Sequence, residues 1–308
     1  MSLLRPVLNA YLRLVEKPRL ARSSAPEQMR GNLERQARLF FRAPRGTRQN
    51  WQILQAGERR VEALEVVPRD LASDAVILYI HGGAFVFGSP GTHAAMLGRI
   101  AALSGTRAVL PRYRLAPESP FPAAADDVRA AWDGLIAAGV DPARVVLGGD
   151  SAGGTLALGL LSQLLQEGAA RPAGVFCFSP LTDLTYSGDS FRQNARAEAI
   201  LVASRAAELA DMYLAGRRAD DPAVSPLFAD FAGAAPVWLT VGDTEILRDD
   251  SHRMAAHLRA QGVDVSLTEA HDLPHVWPIF HNSLPEARHS LRDVSVWIRQ
   301  RLETAAES

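Results

Sequence analysis

Short, continuous apolar runs separated by helix-length segments predict an α/β protein with a mostly parallel sheet covered by helices on both faces. Three observations carry that expectation. The runs are apolar throughout rather than alternating, as strands buried on both faces require. Amphipathic stretches of a dozen or more residues stand between most of them. A chain of 308 residues with 47% hydrophobic and 22% charged residues is long and apolar enough to bury such a core.

The elements follow in order. Residues 1–45 are expected to be helical: Leu4, Val7, Leu8, Tyr11 and Leu12 recur at helical spacing, as do Leu33, Ala37 and Phe40 after Pro26. Residues 51–54 and 61–67 flank a turn centred on Gly57, a hairpin signal. Further strands are expected at 75–80, 107–111, 144–147, 174–178, 237–241 and 263–268, with helices at 92–103, 121–138, 152–167, 249–261 and 285–303. Extra helical sequence at 191–199 and 204–215 interrupts the alternation. The expected organisation is therefore a catalytic domain of residues 46–183 and 223–308. Residues 1–45 and an inserted segment, 184–222, form a helical cap over the carboxyl ends of the strands, where open α/β sheets bind ligands.

Charge excludes some functions and raises one question. The formal net charge of −1 provides no global field for nucleic acid. It is uneven, however: residues 1–60 carry twelve Arg and one Lys against four Glu. A basic amphipathic helix can lie on a membrane or bind a partner. The preferred reading is a pair of helices covering an apolar pocket with solvated arginines, because no Trp or Phe anchors the first helix. Cys177 is the single cysteine, so neither a disulfide framework nor a cysteine-rich metal site is expected. No apolar run approaches a membrane span, and Arg5 and Arg13 interrupt the apolar start that a signal peptide needs. A cytoplasmic protein without membrane insertion is expected.

Two motifs carry chemistry. Gly149-Asp150-Ser151-Ala152-Gly153 runs from a strand into a helix, the G-x-S-x-G nucleophile elbow of the α/β-hydrolase fold. The turn is so tight that the positions two before and two after the serine must lack side chains. Ser151 Oγ then sits at the amino end of a helix, where developing negative charge is favoured. His81-Gly82-Gly83-Ala84-Phe85 follows another strand. Acyl transfer needs backbone N–H donors aimed at the carbonyl oxygen as it becomes an oxyanion. Gly82 and Gly83, with Ala152 from the elbow, are the expected donors, and His81 is expected to fix the loop. In this fold the acid and then the histidine follow the serine, each on a loop after a later strand. Asp243, Glu245 and Asp249 are candidates for the first role, and His271, His275 and His281 for the second.

His81-Gly-Gly-Ala-Phe85, Tyr113-Arg-Leu-Ala-Pro-Glu118 and Gly149-Asp-Ser-Ala-Gly-Gly154 together resemble the hormone-sensitive-lipase family of bacterial carboxylesterases. Pro226-Leu-Phe228 and Val241-Gly-Asp243 extend the likeness over roughly residues 45–300. One departure is Ala84, where the family usually has a third glycine; a backbone donor there survives the change. The family places its acid two residues before a Leu-Arg-Asp run, and that slot here holds Glu245, preferred over Asp243 and Asp249. Its histidine precedes aromatic or apolar residues, which points to His275 in Asp272-Leu-Pro-His-Val-Trp277. The resemblance also assigns Arg114 and Glu118 to an ion-pair network near the oxyanion loop, with Asp126 and Asp127 available to anchor it.

The expected function is a serine carboxylesterase acting on short- to medium-chain acyl esters, with lactones admitted, through an acyl-enzyme. Ser151, Glu245 and His275 are the catalytic residues, and Phe85, Phe87 and Trp277 wall an apolar acyl site. No cofactor and no metal are expected. The partner is a small-molecule ester, with a homodimer left open. A peptidase or amidase on the same scaffold and a non-catalytic binding module are the rivals.

Overall fold

The expected hairpin and all six apolar runs form strands. In the computed structural model, which describes residues 4–23 and 25–307, these are β1 (Arg48–Ala56), β2 (Arg59–Val67), β3 (Val76–Ile80) and β4 (Arg107–Pro111), then β5 (Val145–Asp150), β6 (Gly174–Phe178), β7 (Val237–Gly242) and β8 (Val265–Ala270). They make one sheet in the order β1-β2-β4-β3-β5-β6-β7-β8. β2 is antiparallel to both β1 and β4, and every other pair is parallel. The β1–β2 hairpin turns at Gly57, whose φ of +58° a glycine accepts without strain.

Helices among the described residues are α1 (Leu4–Tyr11), continued through a π-helical stretch (Leu12–Glu16) into α2 (Lys17–Arg22), and α3 (Pro26–Phe40). There follow α4 (Pro90–Ser104), α5 (Ala123–Ala137), α6 (Ala152–Gln166), α7 (Ser190–Gln193), α8 (Ala206–Leu214), α9 (Arg248–Ala260) and α10 (Pro285–Glu307). Successive strand residues point to opposite faces. Val76, Leu78 and Ile80 therefore face one side, in a core that also holds Val128 of α5, Leu161 of α6 and Met254 of α9. Ile77 and Tyr79 pack with Leu97 of α4 and Leu291 and Ile298 of α10. The chain reverses its direction of winding between β3 and β5, and a crevice opens at the carboxyl ends of such a pair.

The basic residues of the first helices are not all solvated. Arg13 donates to Ala197 O at 2.7 Å, and Lys17 Nζ donates to Ala195 O at 2.9 Å and Glu198 O at 2.8 Å. Arg30 reaches Val86 O at 2.8 Å and Ala116 O at 2.9 Å while pairing with Glu118 at 2.7 Å. These bonds clamp the N-terminal helices onto the segment between β6 and β7 and onto the loop after β3.

One expectation fails. A helix over 191–199 is cut to the single turn of α7. Beyond it the chain takes other partners: Asn194 Nδ2 donates to Asp243 O at 3.0 Å and Glu245 O at 2.8 Å, and Ala195 O accepts from Lys17. The last strand likewise starts two residues late, because Gly262 (φ +78°) and the Val263 N–H to Leu258 O bond are closing α9.

Ser89 caps α4 with a reciprocal box: its hydroxyl oxygen accepts from Thr92 N at 3.2 Å, and Thr92 Oγ1 accepts from Ser89 N at 3.0 Å. The same hydroxyl donates to Glu34 of α3. Ser89→Ala removes both the cap and this tie. It should lower the unfolding free energy by about 1–2 kcal/mol, measured as a shifted urea midpoint at constant slope.

Candidate active site

Ser151 stands between β5 and α6 with φ 51° and ψ −123°, a backbone conformation that side chains rarely tolerate. The turn closes because its neighbours are glycines. A Cβ on Gly149 would lie 2.4 Å from Gly153 O, and one on Gly153 would lie 2.1 Å from Ile80 O. Ser151 N donates to Phe178 O at 3.0 Å, which locks the elbow to the end of β6. The elbow opens into a cavity of about 820 Å³. Ser151, Gly83, Ala84 and His275 line its floor; Leu33 of α3 and Leu201, between α7 and α8, line its roof.

The loops after β7 and β8 build two acid–histidine pairs. His275 Nδ1 lies 2.6 Å from Glu245 Oε2, and both residues are buried. The other Glu245 oxygen accepts from Gly242 N at 2.6 Å and from Ser179 Oγ at 2.8 Å. Burial disfavours the His275 imidazolium, but the bonded negative charge of Glu245 outweighs it, with Glu198 and Asp150 adding to the attraction. The ring is held above its ordinary 6.5. The second pair, His271 Nδ1 and Asp243 Oδ2 at 2.6 Å, lies outside the cavity with His271 mostly exposed. Asp249 accepts from Ser190 N at 2.8 Å, and His281 faces Arg42 O at 3.4 Å. The structure thus brings Ser151 and His275 to one cavity, with Glu245 buried behind His275, and leaves the competing residues outside it.

Of the three expected oxyanion donors, Gly82 is otherwise engaged. Its N–H donates to Asp150 Oδ1 at 3.0 Å. That carboxylate also accepts from the Tyr79 hydroxyl at 2.8 Å and meets His93 Nε2 at 3.3 Å, all without solvent. Burial alone would raise the Asp150 carboxyl; His93 and Tyr79 reverse this and hold it below its usual value. The N–H groups of Gly83, Ala84 and Ala152, by contrast, meet no acceptor among the described residues. Ala84 N–H, unlike that of Gly82, is thus without an acceptor among the described residues. His81 stacks on Tyr113 with ring centres 4.2 Å apart, and burial beside His93 depresses it to about 3, so it is neutral and fixes the loop.

The three aromatics expected at the acyl site separate. Phe87 lines the cavity. Phe85 instead stacks on Tyr213 at 3.7 Å within the core. Trp277 turns away into a cluster with Leu273 and Leu284, its Nε1–H donating to Ser290 Oγ at 2.9 Å, and Val276 takes the wall position. Arg114 and Glu118 belong to separate pairs, Arg114 with Asp127 at 2.8 Å and Glu118 with Arg30.

Two residues of the site carry no motif. Ser179, besides bonding Glu245, accepts from Val276 N at 3.2 Å and so couples the acid to the histidine loop. Glu198 accepts from Ile200 N at 2.8 Å and Ile246 N at 3.1 Å. Burial pushes its carboxyl up, with His275 opposing and Glu245 reinforcing the rise. Among the described residues no cluster of His, Cys, Asp and Glu is arranged to hold a metal ion.

Ala84 has φ 51°, a conformation that costs an alanine about 1–2 kcal/mol and a glycine nothing. Ala84→Gly should therefore stabilise the protein by about 0.5 kcal/mol after the added freedom of the unfolded chain is subtracted. Chemical denaturation of the two proteins side by side measures the difference, and a destabilised variant would contradict it.

Residues 77–279 match a family described as having the alpha/beta hydrolase fold. The chain is 35% identical to an acetyl-hydrolase of Streptomyces hygroscopicus over 72% of its length and 75% of the relative's. It is 34% identical to an esterase of Acinetobacter venetianus over 88% of each chain. A crystal structure of an esterase from the bacterial hormone-sensitive lipase family superposes with a TM-score of 0.91 at 34% identity, covering 98% of this chain and 99% of that one. With the fold, the elbow and these likenesses in agreement, the chain belongs to the bacterial hormone-sensitive-lipase family of the α/β-hydrolase fold and is a carboxylic ester hydrolase.

Proposed function

We propose that the chain hydrolyses short- to medium-chain acyl esters by way of an acyl-enzyme on Ser151. What supports this reading above all is that His275, which lines the same cavity as the elbow serine, meets Glu245 through Nδ1 at 2.6 Å. With Nδ1–H donated to the carboxylate, Nε2 carries the lone pair that takes the Ser151 proton. The serine oxygen adds to the ester carbonyl, and the oxyanion is met by the N–H groups of Gly83, Ala84 and Ala152. His275 returns the proton to the leaving alcohol as the C–O bond breaks. Water then repeats the two steps and releases the acid.

The substrate range follows from the cavity. About 820 Å³ with apolar side chains such as Leu33, Leu201 and Phe87 accommodates an acyl chain of modest length. The acetyl-hydrolase relative supports small acyl groups. Lactones fit the same chemistry, since ring opening breaks the same bond. Residues 1–45 and 184–222 act as the cap that sets this range.

Ser151→Ala should abolish turnover of p-nitrophenyl butyrate with the fold intact, because it removes only one hydroxyl from a residue that lines the cavity. Intact-mass analysis after an organophosphonate should show one adduct on the wild type and none on the variant. Persistent turnover or labelling elsewhere would remove the serine mechanism.

The acid is tested separately. Glu245→Gln should lower kcat by about 10⁴-fold, whereas Asp243→Asn should leave it within an order of magnitude. The base works only when neutral, so activity falls as pH drops through the raised His275 pKa. Removing the Glu245 charge lowers that pKa and should move the acidic limb of the residual activity to lower pH. Activity against pH for both variants, with circular dichroism to verify folding, decides between the two carboxylates.

A further inference from the structure

The first helices present an apolar face to solvent. Of the eleven large apolar side chains exposed among the described residues, six are Leu4, Val7, Tyr11, Leu14, Leu39 and Phe40. Val7 is 66% exposed, Leu14 76% and Phe40 58%. This arrangement is ordered. Spacings of three and four residues set Leu4, Val7, Tyr11 and Leu14 in a stripe along α1 and its π-helical continuation. The opposite side does the docking: Leu12 is buried, and Asn9 donates to Asp272 O at 2.9 Å. Covering the cavity thus engages one side of the helix and leaves the other apolar as well, which ordinary surface helices avoid.

The stripe leads to the cavity mouth, because Tyr11, Leu39 and Phe40 are both exposed and part of the cavity wall. Positive charge surrounds it. Residues 4–40 contain seven Arg and one Lys against three Glu. Arg5, Arg13, Lys17 and Arg30 face protein acceptors, whereas Arg22, Arg35 and Arg38 are exposed and pair with no acid among the described residues. Two of the three acids are already engaged, Glu16 by Arg19 and Glu34 by the Ser89 hydroxyl. Arg22 and Arg35 stand at the cavity rim.

We propose that this face docks on an anionic lipid bilayer and holds the cavity mouth against it, so that ester substrates enter from the lipid rather than from water. Apolar side chains seated among the headgroups, ringed by arginines that meet lipid phosphates, is the arrangement by which interfacial helices bind. No helix among the described residues is long and apolar enough to cross a membrane, so the contact is peripheral. A second copy of the chain fits the face less well. A two-fold contact there would bring the basic faces of two copies together, seven Arg and one Lys against three Glu on each side, so that like charges meet across it. The binding does not depend on the serine mechanism, and its readout is not turnover.

The test uses the full-length protein with vesicles of phosphatidylcholine alone and of phosphatidylcholine mixed with phosphatidylglycerol, followed by flotation. Binding is expected on the mixed vesicles, much less on the neutral ones, and should decline as NaCl is added. Val7→Ser with Leu14→Ser should weaken it about tenfold while leaving hydrolysis of soluble p-nitrophenyl butyrate unchanged, which shows that the fold and the cavity are intact. Arg22, Arg35 and Arg38 changed to Gln should each cost about fivefold in vesicle affinity. Absence of binding, equal binding to both vesicle types, or unaltered binding by the serine variant overturns the proposal. So does a concentration-dependent dimer in light scattering that the serine variant abolishes, which would assign the face to a second copy.

Discussion

Ser151 is held at φ 51° and ψ −123° by a turn in which neither Gly149 nor Gly153 has room for a Cβ, and the surrounding groups are arranged around that strain. The turn points the residue before the serine, Asp150, back under the loop that follows β3. There its carboxylate receives Gly82 N–H, Tyr79 and His93 together. A buried carboxylate is tolerated only when such partners replace its water. The nucleophile and the oxyanion loop consequently share one anchor. Disturbing the elbow misplaces both, and repairing either alone restores neither.

The acid side is built on the same logic with different parts. Glu245 is longer than the aspartate typical of its slot, and the extra methylene is absorbed by its loop. Gly242 N–H and Ser179 hold one oxygen, so that the other meets His275. Asp243, two residues earlier, points outward and repeats the pairing with His271 at the surface. The two pairs have the same 2.6 Å separation. Only burial beside the serine distinguishes them chemically, because a low-dielectric setting makes the interaction of Glu245 with the imidazolium strong.

Much of this was legible in the chain. Apolar runs located six strands and the turn at Gly57 the other two, and the elbow needed only its glycines and a strand in front. The misses share a cause: they depend on partners far away along the chain. Nothing near Gly82 reveals that Asp150, 68 residues on, will take its N–H. Ser179 and Val276 lie 97 residues apart, and Glu198 and Ile246 lie 48 apart. The helical pattern of 191–199 is a genuine local preference, yet Asn194 and Ala195 take distant partners, Glu245 and Lys17, that no local pattern shows. Phe85 and Trp277 were apolar, as expected of wall residues, but periodicity alone does not separate a cavity wall from the core behind it. Arginines were equally ambiguous, since an anchor and a solvated charge look alike until their acceptors are known.

Several of the bonds that join the N-terminal helices to the segment between β6 and β7 run from cations to neutral acceptors. Arg13 ends on Ala197 O, Lys17 on Ala195 O and Glu198 O, and Arg205 on Leu20 O at 2.9 Å. A peptide carbonyl neither gains nor loses a proton in water, and a guanidinium keeps its own at any pH a cell encounters. The arginine ties to carbonyls are accordingly silent to acid: they are as tight when His275 is charged as when it is neutral. The ties beside them that end on carboxylates, Arg30 with Glu118 and Arg13 with Asp272, have a partner that acid can neutralise.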